Sequence, residues 1–113
     1  MKQKRCKALK ICKEFFHDEP IEKLSNHTDG DMLITLYLKM MLKTMDNDLC
    51  FHYSGTRVCL EDEIAAKIEE PSRNVRRTIK VLLFVGLAEY NGDTLRMHET
   101  EHCKVSEIIT QKP

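Results

Sequence analysis

The residues with the most chemistry to offer are four cations, Arg73, Arg76, Arg77 and Lys80, with no acidic residue between Arg73 and Val85. Cations at this density neutralise phosphates, while Asn74 and the arginines can hydrogen-bond to base edges. Ser72, just before them, adds a hydroxyl for a phosphate oxygen. Set on a helical wheel, Arg73, Arg77 and Lys80 lie opposite an apolar stripe, with Arg76 on its flank and Asn74 on the other side. That is the arrangement of a helix entering a DNA groove. The plain alternative is a solvated helix face.

Metal and catalytic chemistry find less support. Cys50, His52 and Cys59 form one local group, and His98, His102 and Cys103 another. Zinc needs four converging ligands, usually in short paired spacings, and neither group supplies them. Asp46, Asn47 and Asp48 invite a calcium reading, but Phe51 stands at the sixth position of that loop and Arg57 at the twelfth, where glycine and glutamate are needed. Cys103 beside His102 and Ser54 near His52 are only neighbours in sequence, and no nucleophile elbow or phosphate-binding glycine loop occurs. Glu61 with Glu63, and Glu69 with Glu70, sit side by side on one helix instead of facing across a cleft. A non-enzymatic protein is expected, with no catalytic residues, no metal and no cofactor.

The basic stretch needs a scaffold. Leu60, Ile64, Ala65 and Ile68 make the apolar face of a short helix that Glu69, Glu70 and Pro71 stop, because proline disfavours helical geometry in the residue before it. Ser72 is placed to cap a second helix with Val75, Ile79, Leu82 and Leu83 inward and Gly86 ending it. Val81 and Phe84 point away from that face and call for a further cover. Asn91-Gly92, between the runs Leu87–Tyr90 and Asp93–Met97, is a strong hairpin signal. Helix, turn, helix and hairpin in this order make a winged helix, whose hairpin either brings Asn91 and Arg96 to the DNA backbone or merely closes the domain.

Upstream, Leu9 and Ile11 alternate with charged residues as in a strand, and Asp18, Glu19 and Pro20 open a short helix containing Ile21 and Leu24. From Asp31 to Met45 the chain lacks glycine and proline, with Thr28 and Asp31 in capping-box spacing at the front. This helix is apolar nearly all round, so it needs partners on several sides. Its own core is one, and a second subunit reached by Tyr37, Met40 and Met41, together with Val81 and Phe84, is another. Leu49, Phe51 and Tyr53 alternate as in a short strand. The expected organisation is a basic arm over residues 1–6, a winged-helix domain over 7–98, and a tail or short helix over 99–113, where only Val105, Ile108 and Ile109 stand out.

The chain's 113 residues suffice for one core. Eighteen basic and eighteen acidic side chains cancel, so any field acting on DNA must be local. No run approaches a membrane span, and five cysteines without a CxxC pair fit reduced thiols, so a cytoplasmic location is expected. The fold class is α+β, mostly helical: a winged helix-turn-helix with an additional N-terminal strand and helices.

The joint order of several segments resembles the N-terminal domain of phage replisome organiser proteins, relatives of the DnaD-type primosomal proteins. The carriers are Leu9 and Ile11 before Phe15-Phe16, Ile21 and Leu24, Gly30-Asp31, Tyr37-Leu38-Lys39-Met40, Leu49 to Gly55, Glu63-Ile64-Ala65 with Val75, and Gly86-Leu87-Ala88-Glu89. The resemblance implies a winged helix with extra N-terminal elements, a homodimer or higher homo-oligomer, and a part in replication initiation or primosome assembly beside replication initiator or helicase-loading proteins. In such proteins DNA affinity often lies in a further C-terminal helical domain. Three functions are therefore open: a module that binds double-stranded DNA and self-associates, an oligomerisation and docking module without DNA contact, and a small winged-helix transcription regulator.

Overall fold

The computed structural model describes the backbone of residues 3–111 and the side chains of residues 6–108; Lys2 of the expected basic arm, and the side chains of Lys4, Arg5 and Ile109, lie outside them. The chain runs β1 (Gln3–Ile11), a 3-10 turn (Lys13–His17), α1 (Glu19–Ser25), α2 (Gly30–Thr44), β2 (Cys50–His52), α3 (Leu60–Ile68), α4 (Ser72–Val85), β3 (Ala88–Asn91), β4 (Thr94–Met97) and β5 (Cys103–Gln111).

The core gathers around α2. Leu33, Leu36, Tyr37, Met40 and Met41 are all essentially without solvent contact, packed among Ile21 and Leu24 of α1, Ile64 of α3 and Val75 and Leu82 of α4. Most of the apolar wrap of this helix is thus satisfied within one chain, with Leu42 left exposed. The Tyr37 hydroxyl donates to the His98 carbonyl at 2.7 Å, tying α2 to the segment after β4, and burial pushes its pKa well above the usual tyrosine range. At the front of α2 the helix begins at Gly30 behind Asp29, without the side-chain cap expected of Thr28 and Asp31.

β2, β4 and β3 form one antiparallel sheet in that order, with β4 central. The β3–β4 hairpin follows α4 directly after Gly86, which takes φ 84° to close the helix. Its two-residue loop is Gly92-Asp93, one position later than the Asn91-Gly92 turn read from the sequence: Asn91 pairs with Thr94 as the last residue of β3, and Gly92 supplies the positive φ of 64°.

The C-terminal stretch departs from expectation. Residues 103–111 form neither helix nor tail but β5, which pairs antiparallel with β1 from Ile11↔Cys103 to Gln3↔Gln111. Residues 3–6 of the expected basic arm are therefore one side of this ribbon, and β1 runs without a break across the boundary expected between residues 6 and 7. Among the described residues no helix is long and apolar enough to cross a membrane.

Candidate nucleic-acid interface

α4 is held against the core by Val75, Thr78, Ile79, Val81 and Leu82, all buried. Glu69 adopts the left-handed conformation (φ 57°) that ends α3, the Glu70 amide closes back on the Ala65 carbonyl at 3.0 Å, and an ion pair between Lys39 and Glu70 fastens the turn to α2. Pro71 occupies the N-cap position, so Ser72 is the first residue of α4 and not its cap.

At ~100° per residue, Arg73, Lys80 and Phe84 share one outer ridge of α4, with Arg76 and Arg77 on its two flanks. All five are exposed, Phe84 at 89%. Asn74 and Ser72 are half-buried at the helix start, where the Thr78 hydroxyl donates to the Asn74 carbonyl at 2.8 Å. Asn91 is exposed at the end of the wing, and Arg96 is exposed on β4.

The cations divide into two kinds. Among the described residues no ion pair engages Arg73 or Lys80, whereas Arg76, Arg77 and Arg96 each meet an aspartate from a neighbouring element. Arg76 reaches Asp62 of α3 at 2.6 Å. Arg77 donates through Nε to Asp29 at 3.1 Å and through its terminal nitrogen at 3.3 Å, with the His27 ring 3.2 Å from the same nitrogen. Arg96 lies 3.6 Å from Asp48. The hydrogen bond from Arg77 draws the Asp29 carboxyl below its ordinary pKa and raises that of the guanidinium.

Tyr37, Met40, Met41 and Val81 are inside the chain's own core and offer no surface to a second subunit. Their apolar character is accounted for by α1, α3 and the sheet packing onto them. Of the residues expected at a subunit contact, Phe84 alone is exposed, and Leu83, expected inside, joins it on the surface because Val81 and Thr78 take the inward positions.

Beside α4 stands a loop the sequence did not single out. Glu63 is buried and its carboxylate accepts the Ser54 and Thr56 amides, both at 2.8 Å. Burial alone would raise its pKa; these amides instead hold it at about 2. The Tyr53 hydroxyl donates to the Arg57 carbonyl at 2.6 Å. The pinned loop carries Arg57 and Val58 on its exposed side, across a cleft from Glu69 and Ser72.

The two cysteine–histidine groups do not assemble. Among the described residues, the group whose donor atoms lie within 4.8 Å of one another is Asp18, Glu101 and His102. There Asp18 Oδ1 sits 2.6 Å from His102 Nδ1 while Oδ2 accepts the His102 amide at 3.0 Å, a hydrogen-bonded tie at the base of the ribbon. Cys50 and Cys103 are buried thiols, and Tyr90 donates to the Glu61 carboxylate, binding the wing to α3.

α2, α3 and α4 with the β2-β4-β3 sheet define a winged helix-turn-helix, extended by the β1–β5 ribbon and α1. The model of the N-terminal phage replisome organiser family matches residues 8–112, nearly the whole chain. The protein belongs to that family, which connects it with the initiation of phage DNA replication. No curated protein and no solved structure matches it.

Proposed function

We propose that this domain is a non-enzymatic, cytoplasmic module that binds double-stranded DNA through the outer ridge of α4, with the wing residues Asn91 and Arg96 beside it, in replication initiation or primosome assembly. The observation that carries the reading is the pair Arg73 and Lys80: exposed, aligned on one ridge and without an internal ion pair among the described residues. A helix docked on its core by one face and cationic on the other has the geometry for phosphate contact in a groove. Ser72 and Asn74 at the helix start stand where base edges and phosphates would come closest. Replication initiator or helicase-loading proteins are the expected protein partners.

Fluorescence anisotropy with a mixed-sequence duplex tests this. Binding should weaken steeply with salt, and Arg73→Ala with Lys80→Ala should reduce the slope of log affinity against log salt by about two, since each phosphate neutralised contributes about 0.9. A double variant that binds like the parent rules out the ridge.

A second reading has its own support. Phe84, 89% exposed beside the exposed Leu83, is an apolar end on an otherwise cationic ridge, and such a residue favours self-association or docking of a partner protein. Phe84→Ser should then lower the apparent mass in light scattering without altering the duplex salt slope.

A further inference from the structure

We infer that Asp29 and Asp62 set the affinity of the α4 surface for DNA, by holding Arg77 and Arg76 in internal ion pairs that nucleic acid must open. This deepens the proposed function and rests on α4 being the DNA-contacting helix. The ridge cations Arg73 and Lys80 are free of ion pairs among the described residues, while the arginine on each flank faces a carboxylate from outside α4. Asp29 lies before α2 and Asp62 in the first turn of α3, so two separate elements each bring one acid to the same helix.

The two pairs differ in geometry. Arg77 gives Asp29 both donors of one edge, Nε at 3.1 Å and a terminal nitrogen at 3.3 Å, and that nitrogen also faces the His27 ring at 3.2 Å. The fork that would grip a phosphate is therefore occupied. Arg76 gives Asp62 one terminal nitrogen at 2.6 Å, with a long contact of 3.9 Å from the same nitrogen to the Cys59 sulfur, so its other donors stay open. All four side chains are partly exposed, so solvent screens both pairs and each opens at little cost. Each aspartate also places a negative charge beside the phosphates that the free cations attract. The device leaves a narrow cationic ridge that binds weakly on its own and gains contacts only where phosphates approach on both flanks.

Asp29→Asn is the decisive variant. Asp29 makes no side-chain cap to α2, and asparagine serves the N-cap position equally well, so the fold is kept. Asp29→Asn should bind mixed-sequence duplex about threefold to fivefold more tightly at constant salt, the scale of effect a weak, solvent-screened pair allows. The gain should shrink in an Arg77→Ala background, because there the aspartate has no guanidinium to hold. Asp62→Asn should act in the same direction by a smaller factor. If the parent binds DNA but Asp29→Asn binds equally or less well, or keeps its whole gain without Arg77, the inference is overturned while the α4 reading stands. If neither parent nor variants bind duplex, both fall.

Discussion

Asp18 ties the base of the β1–β5 ribbon to the start of α1. Its carboxylate meets the amide and the ring of His102, whose carbonyl in turn accepts the Cys12 amide at 2.9 Å, so position 102 is held from both sides. The hydrogen bond to Asp18 raises the His102 pKa above its ordinary value. A raised histidine stabilises the fold fully below its unfolded pKa near 6.5 and loses that contribution as pH climbs through the folded value. Burial would raise the Asp18 carboxyl, but the hydrogen bonds with the His102 amide and ring hold it below its ordinary value, so its contribution fades as pH falls below the usual carboxylate range. Thermal unfolding should therefore show the parent most stable in mildly acidic solution and losing stability from about pH 6.5 upward. His102→Gln should lower the melting temperature at pH 5.5 and flatten the alkaline decline. An identical decline in the variant assigns the effect to another group. At this scale the cations of α4 were legible from the sequence, because helical spacing alone places Arg73, Arg77 and Lys80 opposite Val75, Ile79 and Leu82. Their acidic partners were not: Asp29 lies 48 residues from Arg77, Asp62 14 from Arg76 and Asp18 84 from His102, and no local pattern marks such pairs.

The helices carry their own placement signals. Gly30 opens α2 where a Cβ would stand 2.7 Å from the Leu24 carbonyl oxygen and 2.9 Å from the Ser25 Cα, so the ends of α1 and α2 meet backbone to backbone. Gly30→Ala should destabilise the domain by about 1–3 kcal/mol, the usual cost of forcing extra volume into a packed site, measured by urea unfolding. A loss below a few tenths of a kcal/mol contradicts this close approach. α1, α2, α3 and α4 were readable because each has an apolar face in helical period and a stop, as at Pro71 and Gly86. β5 was not. Past Cys103 and Val105 the ribbon lies away from the core, with Lys104, Glu107 and Ile108 exposed, so no buried face imposes the alternation by which a strand is recognised. The wing loop moved by one residue because the positive φ falls on Gly92 at the first loop position, leaving Asn91 to pair within the sheet.

For the molecule as a whole, the winged helix and the ribbon are two unequal bodies of packing. The Cα radius of gyration is 15.1 Å, against about 13 Å for a compact chain of this length, as expected when β1 and β5 pair chiefly with each other beyond the core. Net charge is zero, yet the cations of α4 gather on one surface, so attraction to a polyanion is a property of that surface and not of the chain. A protein of this kind should bind DNA weakly, with a strong salt dependence and a small footprint. The most direct test is the footprint itself, read from the amide and arginine side-chain resonances of the 15N-labelled protein as unlabelled mixed-sequence duplex is added at low salt. Shifts should be confined to Ser72–Lys80, the wing over Asn91–Arg96 and the segments around Asp29 and Asp62, with the ribbon silent. Shifts limited to the β1–β5 ribbon, or to Leu83 and Phe84, or none at all, would contradict this.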